Sequence, residues 1–68
     1  MKYGNLIKKL RAEKGLSQEK LAECAEVAQK SISVYEAGMS LPNVKTADRI
    51  AKALGVTLTE MMQRITEW

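Results

Sequence analysis

The sequence has no histidine and no phenylalanine, and only one cysteine (Cys24) and one proline (Pro42) in 68 residues. One cysteine cannot close an intramolecular disulfide, supply a thiolate cluster or form a CxxC redox pair. Without histidine the usual zinc ligand set and the commonest general base are missing too. No glycine-rich phosphate loop or convergent carboxylate pair replaces them, so the chain reads as a non-enzyme without metal or cofactor. Aromatic residues are limited to Tyr3, Tyr35 and Trp68, too few for a base-stacking platform for single-stranded nucleic acid. No apolar run approaches the roughly 20 residues of a membrane span, and the N-terminus lacks a signal-peptide core. The expected setting is the reducing cytoplasm, with no membrane partner.

What is present is a mild excess of positive charge, +3 overall with an isoelectric point near 9.2. That suits a polyanionic partner without demanding one. The length allows one small domain, residues 1–68, near the lower limit at which a core stands without metal or disulfide support. No segment alternates apolar and polar residues over a useful length, whereas helix formers and helix punctuation are abundant. A first helix is expected from about Tyr3 to Lys14, with Leu6 or Ile7 and Leu10 inward and Gly15 as an αL stop. Ser17 is a simple N-cap for a second helix, Gln18 to about Ala25, which turns Leu21, Ala22 and Ala25 inward. A break at Glu26-Val27-Ala28 precedes a third helix that ends at Gly38. In the loop "MSLPN", Pro42 disfavours helix at Leu41 and Asn43 offers the next cap. A fourth helix runs from about Val44 to Leu54, with Ala47, Ile50, Ala51 and Leu54 on its apolar stripe. Thr57 caps a fifth, about Leu58 to Thr66. Five short helices with brief connections imply an all-α globule.

The informative unit is Leu16 to Gly38. Its two helices of about two turns each are joined by three or four residues, and Leu21, Val27 and Ile32 are placed to meet in one apolar knot. Small Ala22 lets the second helix of the pair cross close by, as a steep helix-turn-helix requires. Wound at about 100° per residue, the third helix turns Ile32 and Tyr35 to one side. Gln29, Lys30, Ser33, Val34 and Ala37 share an outward arc of roughly 140°. By itself that arc is also compatible with an ordinary solvated helix face.

The ordered set of residues resembles the lambdoid-repressor-like helix-turn-helix domains, also called Cro/CI-type or XRE-type. It comprises Leu10-Arg-Ala-Glu-Lys-Gly-Leu-Ser-Gln-Glu19, Leu21-Ala22, Val27, Ile32-Ser33, Tyr35-Glu36-Ala-Gly38, Pro42, Ile50-Ala-Lys-Ala-Leu-Gly-Val56, and Leu58 with Met61 and Met62. Two positions depart from the family pattern. Glu26 stands where the turn often has Gly, and must avoid αL or carry about 1 kcal/mol or more of strain. Ala28 stands where Ser or Thr commonly caps the recognition helix, so a cap of about 1 kcal/mol is lost. The resemblance implies a five-helix fold that binds double-stranded DNA, with the helix-turn-helix at about 17–37. It implies that Gln29, Lys30, Ser33 and Val34 read base edges in the major groove. Gln18 would meet a phosphate, with Ser17, Ser31, Ser40, Asn43 and Lys45 as further phosphate candidates. Arg11 would pair with Glu36, contact phosphate, or both.

Residues outside the helix-turn-helix raise a second theme. Met61, Ile65 and Trp68 recur at i, i+4 and i+7 and extend an apolar stripe to the end of the chain. Together with Leu6 and Met62 they suggest a two-fold seam built on the fifth helix, holding two recognition helices about 34 Å apart; the alternative is that Trp68 folds back on its own core or frays. Met61 and Met62 are also ordinary core filler, and Cys24 reads as an inert, half-buried thiol. The expected function is a transcriptional repressor acting as a homodimer on a palindromic operator. Rival readings are a protein-interaction module of the same fold, such as an antitoxin or anti-repressor, and the DNA-binding segment of a longer repressor. The sequence shows no pocket from which a small-molecule inducer could be inferred.

Overall fold

The computed structural model describes residues 2–67 and has five helices: α1 (Lys2–Lys14), α2 (Gln18–Ala25), α3 (Gln29–Glu36), α4 (Val44–Ala53) and α5 (Leu58–Glu67). No strand occurs among the described residues, so the all-α expectation holds. The core collects one stripe from each helix. Leu6, Ile7 and Leu10 come from α1, Leu21, Ala22 and Ala25 from α2, and Ile32 from α3, with Ile50 and Ala51 from α4, Leu54 at its end and Met61 from α5. Val27 and Tyr35 pack against this cluster from the helix-turn-helix side, which completes the expected knot around Leu21 and Ile32.

The helix ends explain why the elements stop where they do. Ser17 Oγ accepts from the Lys20 amide at 3.0 Å, and Asn43 Oδ1 accepts from the Thr46 amide at 2.8 Å. Thr57 and Glu60 form a reciprocal capping box, with the Glu60 amide donating to Thr57 Oγ1 at 3.0 Å and the Thr57 amide to Glu60 Oε1 at 3.1 Å. The spacing Thr57-x-x-Glu60 is the capping-box signature, and a cap on Thr57 alone understates it.

At their C-termini, α1 and α2 close with the same pair of backbone bonds, 5→2 and 6→1, around one left-handed residue. After α1 the amides of Gly15 and Leu16 donate to the carbonyls of Ala12 and Arg11, with Gly15 at φ 69°. After α2 the amides of Glu26 and Val27 donate to those of Glu23 and Ala22. Here the left-handed residue is Glu26, at φ 59°, ψ 43°. The sequence left two outcomes at this turn, and the strained one is realised. An L side chain in this region costs roughly 1–2 kcal/mol.

Candidate nucleic-acid interface

Helix α3 presents two unlike sides, as its sequence predicts. Ile32 is fully buried and Tyr35 half-buried, while Gln29, Lys30 and Ser33 are exposed. Ser31 and Val34 are intermediate, so Val34 offers only part of its isopropyl group outward. Lys30 makes no ion pair among the described residues, which leaves its ammonium available. The helix begins at Ala28, in extended backbone with no side-chain cap, as expected from the missing Ser or Thr.

The other end of α3 is held by a polar cluster. Glu36 is 4% exposed and accepts from Arg11 twice, Nε to Oε2 at 2.8 Å and Nη2 to Oε1 at 3.2 Å. Arg11 Nη1 also donates to the carbonyl of Leu16 at 2.9 Å. Gln18 Nε2 donates to Glu36 Oε1 at 2.9 Å. A buried carboxylate is tolerated only when its oxygens are satisfied in this way. The guanidinium ties Glu36 to the α1–α2 turn, so the expected Arg11–Glu36 pair is present, and with three of its five N–H groups engaged the partly exposed Arg11 keeps donors for a phosphate.

The same bond brings Gln18, the first residue of α2, beside the end of α3. The amides of Gln18 and Glu19 have no carbonyl four residues back within the helix, so this end of α2 presents free donors to an anion. Of the other phosphate candidates, Ser17 and Asn43 are exposed and Ser31 is intermediate. Ser17 Oγ and Asn43 Oδ1 serve as helix caps. Ser40 and Lys45 are exposed on the connection to α4 and on its first turn.

Residues 7–61 match the family model described as Helix-turn-helix. The chain belongs to the Cro/CI-type helix-turn-helix family. Among curated proteins, this helix-turn-helix domain is 36% identical over 62 residues to the HTH-type transcriptional activator BcrR of Enterococcus faecalis, covering 91% of this chain and 30% of that protein. It is 32% identical over 60 residues to the cryptic phage CTXphi transcriptional repressor RstR of Vibrio cholerae, covering 88% of this chain and 54% of that protein. The domain thus spans about a third to a half of the length of these relatives. Among solved structures, the restriction-modification controller protein C.AhdI of Aeromonas hydrophila superposes with a TM-score of 0.84 at 30% identity, covering 88% of this chain and 91% of that one.

Away from the helix-turn-helix unit, the domain carries a feature that sequence reasoning assigned only in part. An apolar groove of about 400 Å³ is lined by Tyr3, Leu41, Pro42, Val44, Ala47, Leu58, Met62 and Ile65. Met62 and Ile65 belong to the expected seam, and Met62 is 53% exposed. Leu6 and Met61 do not belong to it: both are sealed in the core cluster, because α1 and α5 turn these positions inward. Trp68 lies outside the described residues. The Tyr3 hydroxyl is buried with no hydrogen-bond partner among the described residues, and burial, with Tyr35 adding to it, pushes its pKa up to about 12. Cys24 is exposed, not half-buried, because α2 directs Leu21, Ala22 and Ala25 inward and leaves this position on the rim.

Gly4 is a packing position that periodicity could not find. A Cβ there would stand 2.5 Å from the Tyr35 carbonyl oxygen and 2.7 Å from that of Glu36. Only glycine lets α1 lie this close to the end of α3. Its one sequence signal is a glycine inside a helical pattern, where a packing reason is the usual explanation.

Proposed function

We propose that this domain is the sequence-specific DNA-reading unit of a transcriptional repressor that acts as a homodimer on a palindromic operator. The observation that carries the reading is the exposure of Gln29, Lys30 and Ser33 on a helix whose opposite side is fixed in the core. Gln29 pairs with adenine, Lys30 donates to guanine O6 or N7, and Ser33 is a shorter, adaptable reader. The exposed edge of Val34 meets a thymine methyl. Gln18 and the first amides of α2 hold a phosphate, with Ser31, Ser40 and Lys45 on flanking backbone. The relative RstR, named a repressor, supports this direction of regulation. BcrR, named an activator, marks the alternative that a reporter assay decides.

The two-fold partner is a second copy meeting the α5 side of the groove through Met62 and Ile65, which sets two α3 helices about one DNA turn apart. A cytoplasmic location goes with this reading. No helix of the described residues is long and apolar enough to cross a membrane.

Selection of bound sites from random duplex DNA tests the proposal, with inverted repeats of fixed half-site spacing as the expected product. On the best selected site Gln29→Ala costs roughly 1–3 kcal/mol and on random duplex much less, whereas Gln18→Ala weakens both alike. Equal losses on both duplexes for Gln29→Ala would remove it from base reading. Failure to retain any duplex at low salt, together with a stoichiometric protein partner, would favour the interaction-module reading instead.

A further inference from the structure

We infer that Glu36 is a positioning residue for DNA-backbone contact: held by Arg11, it acts on the DNA through Gln18 and not by touching it. The inference rests on the DNA-binding reading above and assigns the buried Glu36 carboxylate, with its partner Arg11, a part in it.

A glutamine amide presents an oxygen and a nitrogen of nearly equal size, and a phosphate accepts but never donates. An unrestrained Gln18 would therefore offer the wrong atom part of the time. A carboxylate is also acceptor-only, so Glu36 Oε1, 2.9 Å away, selects the nitrogen and leaves its second N–H free to donate. The selector itself is rigid. Its side chain is 2% exposed, and its other oxygen is held by Arg11 Nε at 2.8 Å. The guanidinium has a second effect: it neutralises a carboxylate that would otherwise repel a phosphate seated at the start of α2. The hydrogen bond also fixes the start of α2 against the end of α3, so the phosphate contact and the base-reading arc share one register.

A double-mutant cycle reads this directly. Low-salt affinity for random duplex is measured for the wild type, Gln18→Ala, Glu36→Met and the combination, all at a temperature where each is folded. Methionine fills the volume without an acceptor. The expected result is that Glu36→Met weakens binding about as much as Gln18→Ala, roughly fivefold, and that the combination loses no more than either alone. If Glu36→Met does not fold, the pair Arg11→Met with Glu36→Met, which leaves no unpaired buried charge, is used with and without Gln18→Ala. A second readout is the side-chain amide resonance of Gln18, which shifts on DNA addition in the wild type and not when Glu36 is replaced. A purely structural Glu36 would lower the thermal midpoint yet leave that response intact. Losses that multiply, or an unchanged Gln18 response, overturn the inference while DNA binding stands. A wild type that binds no duplex overturns the DNA-binding reading, and this inference with it.

Discussion

The two ends of α3 are held very differently. At its C-terminal end Glu36 is buried and takes three hydrogen bonds from two other helices, and α1 lies against the last carbonyls through Gly4. At its N-terminal end Ala28 supplies no cap, and the turn just before it places Glu26 in left-handed backbone. The end that fixes the helix in the domain is over-determined, and the end that carries Gln29 and Lys30 is under-supported. Both shortfalls fall in the three residues Glu26, Val27 and Ala28, where backbone strain and a missing cap together cost roughly 2 kcal/mol. A domain this small has little stability to spare, so the cost is tolerable only because the opposite end is so firmly tied.

Substitutions at each end test that contrast. The largest effect is expected at the held end. Gly4→Ala forces a methyl group against two backbone oxygens that cannot rotate away, and should lower unfolding free energy by about 2–3 kcal/mol in chemical denaturation. A loss below about 0.5 kcal/mol would mean that α1 shifts freely and that the end is not fixed. At the loose end the sign reverses. Ala28→Ser should add about 1 kcal/mol by capping the second or third amide of α3, read as a higher denaturation midpoint with an unchanged slope. Glu26→Gly should add roughly 0.5 kcal/mol, because relief of left-handed strain is partly offset by the greater freedom of glycine in the unfolded chain. Destabilisation by either would show that the turn is supported by contacts of the side chains now present.

Much of this was legible because helix punctuation is local. Gly15, Ser17, Gly38, Asn43 and Gly55 stop or start helices through their own backbone and side chains, so the boundaries of α2 follow from residues within a turn of them. The inward positions of α2 and α4 were equally readable from their spacing. The seam was harder. Leu6 and Met61 share the apolar character of Met62, and a periodic stripe alone does not tell which side of it the rest of the domain already covers. The same limit hid the groove, whose lining comes from α1, the α3–α4 connection, α4 and α5 at once. It also hid the exposure of Cys24, which sits one helical step from a buried alanine.

The sequence by itself determined five helices, where they begin and end, and which residues of α3 face away from the core. Each of these depends on interactions within a few residues along the chain. Tertiary structure alone decided that Gln18 is tied to Glu36 across 18 residues and that Gly4 is where α1 lies against the end of α3. Those outcomes depend on distances between helices, set by how the whole core packs, and no local pattern of residues encodes a distance across the fold.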